Sequence, residues 1–443
     1  MLSATYNFPR GFLWGTATSS HQVEGNNRNN NFWEWEQHPG NIINGQKSGL
    51  ACDWWGGRWR EDFDRIAETG QNAHRLSIEW SRVQPTPDRW DEDALEHYRQ
   101  MLQRLQEQKI TPMVTLHHFC DPLWVSELGG WENEKIAELF GTYVQKTVEA
   151  LSEYTNLWIT INEPNVLVIY AYLFGLFPPG KKDIRLLGKV YANLIKAHSF
   201  AYRAIHRLQP TARVGIASNF RSVKPSIAWN PLDRFMVGLM SSVFNNAVPR
   251  ALQDGIMRLP WSRTRIPEAK GTQDFIGLNY YSRDYVAFSF LHPGDAFMRS
   301  YFHSDRELST IGFIANGPEG MFEALKWSLQ FKVPIIVTEN GIEDKDDSVR
   351  PSYLLQHLHQ IWRAVNFNWP VKGYFHWTLV DNFEWERGWT QRFGLWELDV
   401  ETQTRRRRPS ADLYAAICQD NCISSEIVHQ FAPHIYDRLF PGE

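Results

Sequence analysis

Two short carboxylate motifs lie far apart in the sequence, each at the end of an apolar, strand-like run. One is Ile159-Thr160-Ile161-Asn162-Glu163-Pro164; the other is Ile335-Ile336-Val337-Thr338-Glu339-Asn340-Gly341. Paired glutamates presented this way suit glycosidic bond cleavage, which needs a proton donor and a nucleophile or base on either side of a sugar ring. Each motif alone is weak, because strands often end in a solvated Glu. Their joint occurrence has to be judged by the elements that would bring them together.

Eight short apolar or β-branched runs predict strands at Phe12–Thr16, Ala73–Ile78, Thr111–Leu116, Leu157–Ile161, Arg213–Ala217, Asp274–Leu278, Pro334–Thr338 and Gly373–Thr378. Between them, apolar residues spaced by three and four predict helices over Asp91–Gln108, Lys135–Tyr154, Leu186–Leu208, Gly320–Phe331 and Ser352–Asn366. Strands alternating with helices imply a parallel α/β architecture, and eight repeats favour closure into a barrel. No linker or low-complexity stretch divides the chain. The expectation is one (β/α)8 TIM barrel domain with long βα loops over residues 1–443.

In such a barrel the C-terminal strand ends converge on one face, where catalytic residues gather. Here those ends are rich in polar groups. Arg75 lies in the second strand, and His117-His118 follow the third. Asn162-Glu163 follow the fourth, Asn219 the fifth, Asn279-Tyr280-Tyr281 the sixth and Glu339-Asn340 the seventh; Trp377 is near the end of the eighth. An open doubly wound sheet would instead be expected to carry a glycine-rich phosphate loop, which is missing. Singly, most of these residues read as structural: Arg75 as an ion-pair partner of Glu79, His118 as a satisfied core histidine, Trp377 as barrel filling, Gln22 as a surface residue. Shared position on one face reverses that weighting.

Composition narrows the class further. A net charge of −4 points to no polyanionic partner, so no nucleic-acid role is expected. The basic run Arg405-Arg406-Arg407-Arg408 reads as a solvated loop. The sequence shows no secretory leader and no apolar stretch long enough for a bilayer, so a cytoplasmic location and no membrane partner are expected. Four cysteines (Cys52, Cys120, Cys418 and Cys422) lack CxxC pairing and read as reduced buried thiols, with Cys418 and Cys422 on one helical face. The aromatic content of 14%, with twenty tryptophans, mostly fills core, but a share suits a cleft that stacks on sugar rings. The partner expected is a small-molecule β-glycoside or oligosaccharide; homo-oligomerisation is left open, and no cofactor or metal is implied.

With these features in place, the chain resembles the family 1 glycoside hydrolases, the β-glucosidase and β-galactosidase group, over nearly its whole length. Phe12-Leu13-Trp14-Gly15-Thr16-Ala17-Thr18-Ser19-Ser20, with Gln22 and Glu24-Gly25, resembles the N-terminal signature. Thr160–Pro164 and Thr338–Gly341 resemble the two catalytic motifs. Asp381-Asn382-Phe383-Glu384-Trp385, followed by Arg392-Phe393-Gly394-Leu395, resembles the C-terminal sugar-binding loop. The resemblance implies Glu163 as acid/base and Glu339 as nucleophile, supported by Arg75, Asn162, Asn279 and Tyr281. It implies Gln22, His118, Asn162, Trp377, Glu384, Trp385 and Phe393 around the first sugar. Arg75 and Tyr281 are expected to lower the pKa of Glu339, whose charge would keep Glu163 protonated. Glu24, Trp80 and Arg82 are assigned to the framework.

The same resemblance implies retention of β-configuration and unphosphorylated O-glycosides, because Glu163 and the Glu384-Trp385 pair are intact. It implies a β-glucosidase with galactosyl and fucosyl residues as neighbouring choices. Two departures concern the walls: Phe119-Cys120 stand where many members have Trp and an Asp or Thr, and the aglycone-platform tryptophan is missing near Phe313. The alternatives are a non-catalytic sugar-binding barrel, a 6-phospho-β-glycosidase or β-mannosidase, and a metal-dependent hydrolase using His117 and His118. Adjacent strand residues point to opposite faces, which places the two histidines poorly for one ion.

Overall fold

The computed structural model describes residues 4–292 and 297–442. Eight parallel strands form a closed barrel: β1 (Leu13–Ala17), β2 (Ala73–Ser77), β3 (Thr111–Thr115), β4 (Leu157–Asn162), β5 (Arg213–Asn219), β6 (Phe275–Asn279), β7 (Ile335–Asn340) and β8 (Val371–Trp377). Each pairs with its successor, and Gly373–Trp377 of β8 returns to Leu13–Ala17 of β1. These strands lie within two residues of the sequence expectation at every end, and the barrel fold is as expected.

The five expected helices are also present, as Glu92–Glu107, Ile136–Leu151, Ile184–Leu208, Pro318–Ser328 with a 3-10 turn at Leu329–Phe331, and Arg350–Asn366. Local chemistry sets their ends. Asp91 accepts from the Ala94 amide at 3.0 Å, capping a helix whose buried face runs through Ala94, Leu95, Tyr98, Met101, Leu102 and Leu105. Such a cap contributes about 1 kcal/mol. Among the described residues no helix is long and apolar enough to cross a membrane.

Side chains alternate between the barrel interior and the helix layer, except where the chemistry-bearing residues emerge. On β4, Leu157 and Ile159 belong to the inner cluster, while Trp158 packs outward. Thr160 also faces outward, to His198 of the helix at 2.6 Å. Strict alternation would then turn Ile161 inward and Asn162 outward. A register shift between Ile159 and Asn162 instead sends Ile161 to the outer core and Asn162 inward. On β7 a similar irregularity between Val337 and Asn340 brings Thr338 and Glu339 both inward. Gly341 then passes so close to β8 that a Cβ there would lie 2.0 Å from the Trp377 carbonyl oxygen. That contact gives the Glu-Asn-Gly motif a steric reason for its glycine.

Two sequence expectations are corrected by the packing. The arginine run is not a solvated loop. Arg405–Arg407 form a short strand against Trp396–Leu398. The Arg405 side chain is buried on Asp62 at 3.0 Å, and Arg408 grips Asp381 through two 2.9 Å bonds. Two of the four charges are thus internal. Cys418 and Cys422 do not share a helical face either, because the helix Pro409–Asp420 ends between them at Asn421 in left-handed geometry. All four cysteines are free and buried.

Asp381 also accepts from the Gly394 amide at 2.8 Å, and Arg408 donates to the Gly394 carbonyl at 2.7 Å. This pair ties down the loop carrying Glu384, Trp385 and Phe393. Removing Arg408 leaves the buried Asp381 carboxylate only the more distant Arg392 guanidinium, at 3.8 Å, as a cation. Arg408→Ala is therefore expected to destabilise the fold by about 3–5 kcal/mol, read as a shift in the midpoint of chemical denaturation; a change within error would refute this role.

Candidate active site

Arg75 emerges from β2 into the barrel mouth with no solvent exposure. Its guanidinium reaches three other strands. Nε donates to Thr115 Oγ1 of β3 at 3.0 Å and Nη2 to Asn162 Oδ1 of β4 at 2.7 Å. Nη1 meets the Thr338 carbonyl at 3.1 Å and Glu339 Oε1 at 2.5 Å on β7. The expected alternative partner, Glu79, instead accepts from Ser20 and Ser81. Tyr281 donates to Glu339 Oε2 at 2.6 Å, so each oxygen of this carboxylate has a donor.

Glu163 follows β4 in left-handed backbone geometry (φ 43°, ψ 57°) and Pro164 opens the next helix. A non-glycine residue held there stores about 1–3 kcal/mol of strain, consistent with a side chain aimed by the fold. Its Oε1 accepts from Asn279 and Asn219, both at 2.8 Å. Asn279 also touches Asn162 at 3.2 Å and accepts from Thr338 at 2.6 Å, linking β4, β6 and β7.

The two carboxyls line one cavity of about 220 Å³. Their surroundings differ. Burial, then the nearby Glu339 charge, push the Glu163 pKa up to about 8, against its two amide donors. Glu339 is also raised by burial, contrary to the lowering expected from sequence; Arg75 and Tyr281 oppose that rise without reversing it. With a guanidinium at 2.5 Å, Glu339 is the member that ionises first. Tyr281 is held well above the usual phenol range by burial and the Glu339 charge, so it remains a donor.

The remaining expected residues converge on the same mouth. Gln22 is fully buried, and its Nε2 meets Glu384 Oε2 at 2.9 Å and the Phe383 carbonyl at 2.8 Å. His118 is kept uncharged by burial, with Arg75 adding to the effect. Asn162 Nδ2 faces His118 Nε2 at 3.0 Å; Asn162 Oδ1 is already an acceptor, so Nε2 accepts and the proton sits on Nδ1. That Nδ1 and the Trp377 indole Nε1 are buried without a protein partner. Trp377 and Trp385 flank His118, with ring centroids 5.9 and 5.8 Å away, and Phe393 completes the lining.

His117 points away, to Asp121 at 2.9 Å, so the histidine pair is divided between two environments. Among the described residues no group of three or more His, Cys, Asp or Glu side chains is placed to hold a metal ion. Glu24 and Arg82 pair with each other at 2.6 Å, and Trp80 stacks on Tyr143, both within the framework.

Two site residues escaped the sequence reading. Asn219 was visible only as a polar strand end, yet it bonds Glu163 directly. Gln391 lines the cavity with its Nε2 buried and unpartnered. Only its proximity to the Glu384 loop could have suggested it.

A closed barrel with one arginine-paired carboxylate and one proton-retaining carboxyl in a shared cavity defines a glycoside-cleaving class of enzyme. A profile described as glycosyl hydrolase family 1 matches residues 4–423. The chain is 32% identical to a 1,4-β-D-glucan glucohydrolase of Thermotoga neapolitana, over 94% of this chain and 98% of that protein. A solved β-glycosidase from Pyrococcus horikoshii superposes with a TM-score of 0.89 at 36% identity, covering 97% and 98% of the two chains. A β-glucosidase from Thermotoga maritima, solved with glucoimidazole, gives 0.87 at 32% identity over 94% and 99%. The protein belongs to glycosyl hydrolase family 1 and is a β-glycosidase of that family.

Because the Glu339 charge contributes to the high pKa of Glu163, neutralising it should lower that pKa. In Glu339→Gln the Glu163 carboxyl is expected to titrate clearly below about 8, followed by carbon NMR of labelled glutamate. An unchanged titration would show that the two groups do not sense one another.

Proposed function

We propose that the enzyme removes terminal non-reducing β-D-glucosyl residues, with β-galactosyl and β-fucosyl residues also accepted, by double displacement with retention. The observation that carries this reading is the unequal treatment of the two carboxyls. Glu339 has a cation and a phenol on its oxygens, whereas Glu163 keeps its proton to about 8.

Glu339 attacks the anomeric carbon while Glu163 protonates the leaving oxygen; a covalent glycosyl-enzyme and a free alcohol result. Esterification removes the charge of Glu339, which lowers the pKa of Glu163 and fits it to take a proton from water. Water then attacks the anomeric carbon, the ester bond breaks, and Glu163 regains its proton. As positive charge develops on the ring, Asn162, held by Arg75 on its oxygen, bonds the 2-hydroxyl in this reading. His118 Nδ1–H supplies a fixed donor for another hydroxyl, and Trp377 an apolar floor.

Gln22 and Glu384 form a hydroxyl-binding pair at the far end of the sugar, where an equatorial or an axial 4-hydroxyl finds a partner. A 6-phosphate is disfavoured there. Burial, and after it the charges of Glu386 and Glu339, hold the Glu384 pKa well up. A phosphate would add negative charge to the field of Glu386 and Glu339 that already disfavours charge at this position.

Proton NMR of the first sugar released from an aryl β-glucoside should show the β-anomer; initial α-anomer would overturn the mechanism. Glu339→Ala should lower kcat by on the order of 10⁴-fold or more. In the parent enzyme kcat/KM should fall as pH rises through about 8, as Glu163 loses its proton.

A further inference from the structure

We infer that a second cavity on the same face of the barrel, separate from the catalytic one, is an accessory binding site for a neutral pyranose. It measures about 430 Å³, against about 220 Å³ for the catalytic cavity, and falls in the range of small-molecule sites, about 300–1,000 Å³. The loops after β1, β3 and β4 build it, and no residue lines both cavities. The two alternate along shared segments. Phe119 lines the catalytic cavity and Asp121 the second; Phe177 lines the first and Pro178 the second. The partition is aromatic: Phe177 packs on Phe32 and Phe119, with ring centroids 5.2 and 5.4 Å apart.

The lining combines groups that suit a sugar ring. Trp35 contributes an aromatic face, seated against Gly180. The left-handed backbone of Gly180 (φ 73°) and its missing side chain let the indole approach; a Cβ there would run into the ring. The Trp35 Nε1 is buried with no partner among the described residues. Tyr172, only 2% exposed, has a hydroxyl that also meets no protein group among them. Burial, and then the Asp121 and Glu132 charges, hold that phenol well above its usual range, so it remains a donor. Buried polar groups normally find partners, and two without them on one cavity point to a ligand.

Fixed acceptors and charge narrow the ligand. Asp121 Oδ1 accepts from His117 Nε2 at 2.9 Å and Trp131 Nε1 at 3.2 Å, which holds the carboxylate in place. Its Oδ2 takes the Asn31 amide at 3.4 Å, a long bond that leaves room for a hydroxyl. Glu132 and Lys181 pair at 2.5 Å and add an acceptor and a donor. Glu34, Asp121 and Glu132 outnumber Lys181 around the cavity, which disfavours an anionic sugar. The indole face takes the C–H side of a pyranose and leaves its hydroxyls to these polar groups.

The test is ligand-detected saturation-transfer NMR on the intact enzyme, with glucose as the probe and deoxynojirimycin in excess to occupy the catalytic cavity. A glucose signal should survive the inhibitor. Trp35→Ala should cut that surviving signal by about fivefold or more. Tyr172→Phe, which keeps the ring in place, should cut it by about threefold. Both variants should still hydrolyse an aryl β-glucoside at the parent rate, which separates loss of this site from loss of the fold. Failure of the catalytic reading would show instead as absent hydrolysis in all three proteins. Glucuronate should give no surviving signal. Disappearance of the glucose signal under the inhibitor, its persistence in both variants, or an equal signal from glucuronate would overturn the proposal.

Discussion

The site depends on one buried cation. Arg75 has no access to water, and a guanidinium in that position is tolerated only if its donors are met by well-placed acceptors. Its partners come from β3, β4 and β7, and include one carboxylate, Glu339. The ion pair offsets the cost of burying both charges. It also fixes the carboxylate oxygen that faces the arginine, leaving Tyr281 to hold the other. Through Asn162 the same guanidinium sets the tautomer of His118, two hydrogen bonds away.

Backbone irregularity does the aiming. A regular strand would send Asn162 and Glu339 to the helix layer, away from Arg75. Shifts of register at the ends of β4 and β7 turn them inward instead. The left-handed turn at Glu163 and the bare backbone of Gly341 complete the convergence. Such departures from regular geometry are sustained by the framework around them. Here that framework includes Asp381–Arg408 and Asp62–Arg405, internal ion pairs that anchor the β8 loop from behind.

The cavity then divides its labour by composition. It holds His118 and Glu384, whose tautomer and hydrogen bonding are fixed by Asn162 and Gln22. Much of the remaining lining is aromatic or aliphatic. Between them the two carboxyls share similar burial but not similar partners, and that difference separates a proton-retaining group from an ionised one.

The sequence by itself determined the barrel and the pair of glutamates. Eight apolar or β-branched runs alternating with amphipathic helices point to a closed parallel barrel, and polar residues at the strand ends converge there whatever the details of the loops. The tertiary structure decided what periodicity cannot encode. It assigned Arg75 to Glu339 rather than to the nearer Glu79, because the barrel interior places β2 within reach of β7. It turned the run Arg405–Arg408 from an apparent solvated loop into internal ion pairs, since the acids that bind it, Asp62 and Asp381, lie elsewhere in the chain. It showed that burial raises the Glu339 pKa despite its cation, a balance set by desolvation, which depends on the whole surrounding volume and not on neighbours in sequence.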